Sequence, residues 1–510
     1  MSARDFSQAT VLVVGAGIMG AGIAQVAAQA GHAVLLFDLR AGAAQQAHEK
    51  LAASLQALVA KGKLGAEAVA QTLARISAID QLQEAAAAAL VVEAIVEKLD
   101  AKRALFQQLE AIVADDAILA TNTSSISVTA IANGLRHPGR LVGMHFFNPV
   151  PLMKLVEVVS GLQTDTAVAQ AIFDLAQRWG KVAVHARSTP GFIVNRIARP
   201  FYAETLALLQ EQAAAPAVLD ACLRAAGFRM GPCELMDLIG HDTNFSVTQS
   251  VFEANFFDRR YTPSLVQREM VDGGLLGRKS GQGFYRYGDA AAAAAGAAVT
   301  QSSPGASARP PAAHTLRVHG SGPVADWLLQ ALAAAEHLPG SDWTGLEIDG
   351  CQLRLTDGRC ASQLGAEVAV FDLPLQAPAS RIGAAAGPLA WAPSARASEA
   401  WKAAAAQWLQ ALGVQPQQVA DTPGLVVART VAMLVNEGSD AVHQGVCSTE
   451  GADQAMKLGV NYPAGPFEWL AAWGAPAVCT VLDALDTHYR GERYRVSPRL
   501  RQATWSQSQQ

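Results

Sequence analysis

The 510-residue sequence lacks three features that would each indicate a definite class of protein. It carries 39 basic and 44 acidic side chains, so it has no basic excess of the kind that nucleic-acid binders use. Its six cysteines form no CxxC pair and are too sparse for a disulfide scaffold, which favours a reducing cytoplasm. No cluster of histidine, cysteine and carboxylate residues has metal-ligand spacing, so we predict no metal site.

Charged residues are also absent from one long run, Phe6 to Phe37, which is long enough to cross a bilayer. Five glycines and the polar residues Gln25, Gln29 and His32 interrupt this run, and no basic flank precedes it. We therefore expect a soluble intracellular protein with no membrane partner. The composition, 51% hydrophobic and 16% charged, supplies enough apolar material for several packed cores.

A glycine motif follows the first predicted strand. Thr10–Val14 has the pattern of a buried strand, Gly15-Ala-Gly-Ile-Met-Gly20 follows it, and a helical pattern then extends to Gly31. A second buried strand, Ala33–Phe37, ends at Asp38. A strand–turn–helix–strand unit of this kind is the context in which a glycine motif binds a dinucleotide, because the helix N-terminus offers free N–H groups to the pyrophosphate.

Each residue of this motif has an expected part in holding the cofactor. We predict cofactor contacts from the turn and from the residue that closes the second strand: Gly15, Gly17, Ile18, Met19, Gly20 and Asp38. The carboxylate of Asp38 can accept both ribose hydroxyls and would repel a 2′-phosphate, so NAD is favoured over NADP. The alternative is a glycine-rich turn that binds no ligand.

Strand-like runs alternate with helical stretches over the following residues. The predicted strands are Ala89–Ala94, Ala117–Thr121, Arg140–Phe147, Lys154–Ser160 and Lys181–His185. Such alternation predicts a mostly parallel sheet covered on both faces. The fold class is therefore α/β, with a Rossmann-like NAD-binding domain over residues 1–187.

The pattern changes at Thr189-Pro190-Gly191, after which amphipathic helices continue to about Leu276 without convincing strands. We expect an all-α domain over residues 188–288. An Ala/Gly/Ser/Pro-rich stretch predicts a flexible linker over 289–313. A degenerate α/β segment over 314–420 follows, in which Leu316–Gly322 only weakly echoes the first glycine motif.

The end of the chain repeats the first helical domain. Thr422–Arg429 resembles Thr189–Arg196 at an offset of 233 residues, and the offset also relates Glu437 to Glu204. Residues 421–510 are therefore predicted to form a second helical domain. Ala428 stands where the first copy has Asn195, and we expect this copy to be catalytically silent.

A histidine and a glutamate are predicted to face each other across a hairpin. Met144–Phe147 and Lys154–Glu157 have strand patterns and are joined by a proline-containing turn. If the strands pair about that turn, His145 lies directly opposite Glu157. The carboxylate would then fix the imidazole tautomer and leave the other ring nitrogen as a general base for an alcohol. The alternative is a purely structural hydrogen bond.

With these residues in view, the sequence closely resembles the 3-hydroxyacyl-CoA dehydrogenase family. The resemblance covers about residues 8–287, and its matching stretches are Val13–Gly20, Val91–Glu97, Thr121–Ser125, His145–Pro151, Lys154–Val158 and Thr189–Arg196. The second helical domain is similar to that of extended bacterial members linked to phenylacetate degradation. Those members act on 3-hydroxyadipyl-CoA or 3-hydroxybutyryl-CoA.

The resemblance implies a role for each matching position. His145 would take the 3-hydroxyl proton, Glu157 would orient it, and Ser124 and Asn195 would hold the substrate oxygens. Positions implied to lie near the nicotinamide half of the cofactor are Glu97, Lys102, Ser124, Asn148 and Lys279, and those implied to contact CoA are Ser54 and Lys61. Judged by the residues alone, Ser124 is typical of a turn, Asn195 of a helix-interior hydrogen bond, and the charged positions of solvated surface.

The expected function is NAD-dependent oxidation of (S)-3-hydroxyacyl-CoA to 3-oxoacyl-CoA by a cytoplasmic enzyme. Two alternatives stay open: a dehydrogenase of another hydroxy acid, and a nucleotide-binding structural or sensory protein without turnover. The family implies a homodimer formed through the helical domain. The silent copy would either supply that contact within one chain or cap the acyl pocket.

Overall fold

The computed structural model describes residues 6, 9–288, 311–376, 381–383 and 387–507. Their contacts group into two compact units. The first comprises Met1–Arg196 and Gln444–Val460, and the second comprises Ile197–His443 and Asn461–Gln510. The linker predicted over 289–313 lies outside the described residues except for its last three positions.

An eight-stranded sheet forms the centre of the first unit. Its strands are β1 (Val11–Val14), β2 (Val34–Phe37), β3 (Ile76–Ala78), β4 (Leu90–Glu93), β5 (Ile118–Thr121), β6 (Leu141–Phe146), β7 (Leu155–Ser160) and β8 (Val182–Arg187). They lie in the order β3-β2-β1-β4-β5-β6-β7-β8, and every neighbouring pair is parallel except β6 with β7. This confirms the predicted Rossmann-like sheet.

Helices cover this sheet. They are α1 (Ile18–Gln29), α2 (Ala43–Ala60), α3 (Ala66–Ala74), α4 (Leu99–Glu110), α5 (Val128–Ala132), α6 (Thr166–Arg178) and α7 (Val194–Ile197), with 3₁₀ turns at Leu82–Ala85 and Pro138–Arg140. All four residues of β1 and of β4 are buried. Apart from Glu93, both strands are apolar throughout, which is typical of a parallel sheet covered on both faces.

The second unit contains helices from both copies of the helical domain. Those of the first copy are α8 (Arg199–Gln210), α9 (Pro216–Ala225), α10 (Pro232–Ile239), α11 (His241–Ala254) and α12 (Leu265–Asp272), with 3₁₀ turns at Arg259–Tyr261 and Arg278–Ser280. No strand occurs between Val194 and Gly288, all of which the structure describes. This confirms the change to an all-helical pattern after Thr189.

A smaller mixed sheet also belongs to the second unit. Its seven strands are β9 (Leu316–His319), β10 (Glu336–Leu338), β11 (Gly345–Ile348), β12 (Cys351–Leu355), β13 (Val368–Phe371), β16 (Gly387–Pro393) and β17 (Val414–Gln418). Two further strands, β14 (Leu375–Gln376) and β15 (Arg381–Ile382), pair only with each other. The order in the seven-stranded sheet is β10-β9-β11-β12-β13-β16-β17. Three helices accompany it: α13 (Pro323–Ala331), α14 (Ala361–Leu364) and α15 (Glu399–Ala411).

The second helical copy follows that sheet. Its helices are α16 (Val427–His443), α17 (Thr449–Gly459), α18 (Pro466–Trp473), α19 (Ala475–Tyr489) and α20 (Pro498–Gln507), with a 3₁₀ turn at Glu492–Tyr494. All of these belong to the second unit except α17, which lies within the first. Among the described helices, none is both long and apolar enough to cross a membrane.

Reciprocal ion pairs join the two helical copies within the second unit. Glu204 of α8 accepts hydrogen bonds from Arg493 at 2.9 Å and from the Tyr494 hydroxyl at 3.1 Å. Glu437 of α16 accepts the corresponding bonds from Arg260 at 3.3 Å and the Tyr261 hydroxyl at 2.6 Å. Each member of one set lies 233 residues from its counterpart in the other. The repeat predicted from the sequence is therefore a repeat of contacts as well.

Candidate active site

The glycine turn after β1 has the backbone that a dinucleotide site requires. Gly15 has φ +104°, and a Cβ added there would lie 2.5 Å from the Ala94 carbonyl oxygen. A Cβ on Gly20 would lie 1.7 Å from the Gly15 carbonyl oxygen, whereas one on Gly17 would meet nothing within 4 Å. The outer glycines thus permit the tight turn and the close packing of α1, and Gly17 leaves open space through which a ligand can approach the backbone.

The first turn of α1 presents free amides at this opening. Gly17 is the N-cap residue and has no side chain to satisfy them, and Ile18 and Met19 are the first helical residues. Ile18 is 80% exposed. An exposed apolar residue at an uncapped helix N-terminus is consistent with a bound pyrophosphate and adjoining apolar surface.

Asp38 lies at the end of β2 beside this turn. Its carboxylate accepts hydrogen bonds from the Ala16 amide at 2.9 Å and the Arg40 amide at 3.0 Å, and Arg40 Nε lies 3.2 Å away. Partial burial acts to raise the pKa of Asp38, but these donors outweigh it and the pKa is lowered. An ionised carboxylate is therefore fixed next to the glycine turn, where the ribose of a dinucleotide is held in this fold.

His145 and Glu157 face each other across β6 and β7. His145 Nδ1 and Glu157 Oε2 are 2.5 Å apart, and the two side chains are 7% and 0% exposed. Because the carboxylate accepts, Nδ1 carries the hydrogen and Nε2 is left as the acceptor. The hairpin register predicted from the sequence is confirmed.

The other oxygen of Glu157 is held by a helix N-terminus. Glu157 Oε1 accepts hydrogen bonds from the Ile193 and Val194 amides, each at 3.0 Å. These amides have no partner within the helix, and the positive end of its dipole favours a negative charge there. The carboxylate is therefore fixed by two backbone donors and the imidazole, so it cannot rotate away from His145.

A second charge cluster, in which Glu93 and Lys102 are buried and Glu97 is exposed, lies at the ends of β4 and β5. The Lys102 ammonium is 2.6 Å from Glu93 Oε1 and 3.2 Å from Glu97 Oε2, and the Lys102 side chain is only 1% exposed. Glu97 Oε1 accepts bonds from the Thr123 hydroxyl at 2.6 Å and the Ser124 amide at 2.9 Å. The predicted residues Glu97, Lys102 and Ser124 therefore lie together.

The protonation of Glu97 follows from these neighbours. Burial acts to raise its pKa, but the Lys102 charge and the donors from Thr123 and Ser124 outweigh burial and lower it. Glu97 is thus an ionised acceptor that fixes the turn carrying Ser124.

Two residues of this region, Glu93 and Asn122, were not predicted from the sequence. Glu93 pairs with Lys102 and also accepts a bond from the Thr121 hydroxyl at 2.7 Å. Asn122 Oδ1 accepts from the Phe146 amide at 2.8 Å, which ties the end of β5 to the residue after His145. A glutamate inside the otherwise apolar strand Leu90–Glu93 was a signal that could have identified the first of them.

The remaining predicted residues are more dispersed. Asn148 is exposed in the turn between β6 and β7, and Asn195 directly follows Val194 in α7. Ser54 lies on α2 and Lys61 is its C-cap residue, and both are exposed. Lys279 belongs to the second unit, where it forms an ion pair with Asp242.

Among the described residues, no group of histidine, cysteine and carboxylate side chains could hold a metal ion. The first unit instead combines a nucleotide turn, an ionised residue at the ribose position and a buried histidine–glutamate pair. These features together define a nicotinamide-dependent dehydrogenase of the Rossmann type.

Family models narrow this class. The NAD-binding domain of 3-hydroxyacyl-CoA dehydrogenase matches residues 10–189, and the C-terminal domain of the same enzyme matches residues 191–287 and again residues 424–508. The reduced Rossmann-fold domain of 3-hydroxybutyryl-CoA dehydrogenase matches residues 353–423. The chain belongs to the 3-hydroxyacyl-CoA dehydrogenase family, and it is an NAD-dependent oxidoreductase.

Individual relatives agree with this placement. The chain is 43% identical to 3-hydroxyadipyl-CoA dehydrogenase of Escherichia coli K12 over 97% of both chains. A crystal structure of 3-hydroxybutyryl-CoA dehydrogenase from Escherichia coli K12 superimposes with a TM-score of 0.86 at 41% identity, covering 99% of this chain and 100% of that one. A probable 3-hydroxybutyryl-CoA dehydrogenase of Deinococcus radiodurans is 44% identical but covers only 54% of this chain, although 99% of its own length is matched.

Proposed function

We propose that the chain oxidises (S)-3-hydroxyacyl-CoA thioesters to 3-oxoacyl-CoA with NAD, with His145 as the general base. The supporting observation is the buried contact of 2.5 Å between His145 Nδ1 and Glu157 Oε2. It leaves Nε2 as the basic atom that takes the 3-hydroxyl proton. Bound NAD supplies the acceptor for the hydride that leaves C3.

Glu157 acts in this proposal through His145. During oxidation the imidazole becomes an imidazolium, and the fixed carboxylate stabilises that charge. Because Glu157 also accepts the Ile193 and Val194 amides, it has no need to move when the proton arrives. Stabilisation of the cation by a preorganised anion lowers the barrier without a cost of reorganisation.

Ser124 and Asn195 are proposed to hold the substrate oxygens. The Ser124 Oγ lies 3.3 Å from Glu97 Oε1, and its amide is fixed on the same oxygen, so the turn presents a positioned hydroxyl. Asn195 follows directly on the two residues that anchor Glu157. We place Asn148, Glu97, Lys102 and Lys279 near the nicotinamide half of the cofactor on family grounds.

The substrate is proposed to be 3-hydroxyadipyl-CoA or 3-hydroxybutyryl-CoA. Two relatives that match nearly the whole chain bear these two substrate names. Comparing kcat/KM for the two thioesters decides between them. For the CoA moiety we retain Ser54 and Lys61, since Lys50, Lys61 and Lys63 make this region locally basic and suited to phosphate groups.

The cellular setting is also a proposal. The extended arrangement supports a cytoplasmic enzyme of phenylacetate catabolism. We also propose that its domains are residues 1–187, 188–288, 314–420 and 421–510, with a linker over 289–313. The homodimer expected from the family stays a prediction, which light scattering at several protein concentrations tests. The reciprocal ion pairs at Glu204 and Glu437 support the alternative that the duplicate supplies this contact within one chain.

A steady-state assay with acetoacetyl-CoA and NADH tests the activity. We expect turnover by the native chain and a loss of at least about 1,000-fold in kcat for His145→Gln, the range of a general acid–base group. The NADH dissociation constant of this variant should be unchanged, because the glycine turn is intact. Native-like turnover by His145→Gln would refute the mechanism, and no turnover by the native chain would favour a nucleotide-binding protein without catalysis.

A further inference from the structure

A segment of the second helical copy lies within the nucleotide-binding unit. Residues Gln444–Val460 group with Met1–Arg196, and they contain the whole of α17. The copy from which they come lacks counterparts of the histidine and the asparagine of the proposed site. The chemistry proposed above therefore does not explain why this segment belongs to the first unit.

The start of the segment is tied to the residues that flank the site. The Arg187 amide, at the end of β8, donates to the Val446 carbonyl at 2.9 Å. Arg196, the residue after Asn195, donates from Nη1 to Gln444 Oε1 at 2.9 Å. The segment thus bonds to both ends of the stretch that carries Ile193 and Val194, the two amide donors to Glu157.

The end of the segment packs against β7 and α7, the two elements that carry Glu157 and the Val194 amide. A Cβ added to Gly459 would lie 2.8 Å from Leu155 Cδ2 and 2.9 Å from Val194 Cγ2. Leu155 precedes Glu157 by two residues in β7, and the Val194 amide donates to Glu157. Because successive side chains of a strand alternate, Leu155 and Glu157 lie on the same face. Because Gly459 has no side chain, α17 can lie directly against Leu155 and Val194.

A thiol in the same segment is affected by the Glu157 carboxylate. Burial, and after it the negative charge of Glu157, raise the pKa of the Cys447 thiol to about 12. The charge of Glu157 therefore acts on a residue of this segment, in agreement with the contacts above.

We propose that α17 is a positioning element for the Glu157–His145 pair, so that the second helical copy supports catalysis without contributing a catalytic residue. This inference rests on the proposed function. The helix holds Leu155 and Val194 in place, these hold the two amides on Glu157 Oε1, and Glu157 holds the imidazole.

The test enlarges the contact at Gly459 in the full-length chain. Gly459→Val adds a branched side chain against Val194, and we expect kcat to fall about 10-fold while the NADH dissociation constant and the KM for NADH stay unchanged. Gly459→Ala, which raises helix propensity, should lower kcat about 3-fold. Gln454→Val is the matched control, since it adds a branched residue to the exposed face of the same helix, and its kcat should remain native.

A double-substitution cycle separates positioning from general damage. If α17 acts through Glu157, then Gly459→Val should cause no further loss of kcat in a Glu157→Gln background, measured in single turnovers. An equal fractional loss in both backgrounds, or a native kcat for Gly459→Val, would overturn the proposal. Should Gly459→Val fail to fold by circular dichroism, the same cycle with Gly459→Ala decides.

The two proposals fail in different ways. Full activity of His145→Gln would contradict the proposed function whatever Gly459→Val does. Inactive His145→Gln with additive effects of Gly459→Val and Glu157→Gln would keep the function and remove the positioning role of α17.

Discussion

The hairpin that carries His145 has a counterpart in the second sheet, and the two differ in where the carboxylate lies. In the first, His145 on β6 faces Glu157 on β7. In the second, Ala390 on β16 pairs with Gln417 of β17 as Glu157 pairs with Val184 of β8, and these two partners are 233 residues apart. Ala390 therefore corresponds to Glu157, and Asp372, whose amide donates to the Ala390 carbonyl, corresponds to His145. At this pair of positions the second sheet therefore has no imidazole, and its acid lies on the opposite strand.

The carboxylates of Glu157 and Asp372 nevertheless both accept backbone amides at the N-terminus of a helix. Asp372 Oδ2 accepts from the Val426 amide at 2.9 Å and the Val427 amide at 2.6 Å, as Glu157 Oε1 accepts from Ile193 and Val194. These residues correspond at the offset of 233. In both copies a buried acid therefore satisfies the free amides at this helix terminus. Only the histidine converts it into a proposed catalytic pair.

Replacing the two acids gives the largest contrast between the copies. Glu157→Gln should lower kcat about 100-fold, because the amide cannot stabilise the imidazolium as an anion does. Asp372→Asn should leave kcat within about twofold of native, since this residue has no imidazole partner. Steady-state rates with acetoacetyl-CoA and NADH measure both. A comparable loss of kcat in the two variants would mean that the second copy is not silent.

The buried Asp372 should give the chain a distinctive pH dependence of stability. Burial raises the pKa of Asp372 to about 6, although the surrounding amides act to lower it. The folded chain therefore binds this proton more tightly than the unfolded chain, and the free energy of unfolding should fall as pH rises from about 4 to 6. The expected decrease is roughly 3 kcal/mol, since one pKa unit corresponds to about 1.4 kcal/mol.

Urea unfolding between pH 4 and 7 measures this slope, and the difference between native chain and Asp372→Asn isolates it from other groups. Identical slopes in the two proteins would show that folding does not raise the pKa of Asp372.

The two glycine turns allow a third comparison. Gly15 and Gly320 both have positive φ, and a Cβ on either would lie within 3.0 Å of a backbone carbonyl oxygen, that of Ala94 or of Trp343. Gly15→Ala should raise the NADH dissociation constant about 10-fold by displacing the turn. Gly320→Ala should leave it native, although both variants lose stability. Fluorescence titration with NADH measures the constants, and equal weakening would assign cofactor binding to the second sheet as well.

The smallest expected effect concerns CoA. Lys61→Ala should raise the KM for acetoacetyl-CoA about 3-fold through the loss of one exposed phosphate contact, with the KM for NADH unchanged. Lys402→Ala removes a lysine from α15 of the second unit and serves as the control. If both variants change the KM for the thioester equally, the effect is one of overall charge.

Local patterns were sufficient to predict seven of the eight strands of the first sheet, and only the short edge strand β3 was missed. The strand predicted over Arg140–Phe147 is Leu141–Phe146, and that predicted over Lys154–Ser160 is Leu155–Ser160. The register of His145 with Glu157 was predictable because a short proline-containing turn joins the two strands and fixes their pairing.

Other features depend on contacts that no local pattern records. The pairing of Glu93 with Lys102 requires knowledge of which buried charges meet. The exchange of the acid between strands at Asp372 was hidden because a long connection separates β13 from β16, so no turn fixes their register. The return of α17 to the first unit is a long-range contact of the same kind.

The reciprocal pairs at Glu204 and Glu437 have a consequence for how the helical copies stay associated. In separate polypeptides such an interface would obey mass action and weaken on dilution. Here a single backbone carries both faces, so the encounter is unimolecular and its equilibrium is independent of protein concentration. The second helical copy therefore stays associated with the first at any dilution, whether or not it takes part in a reaction.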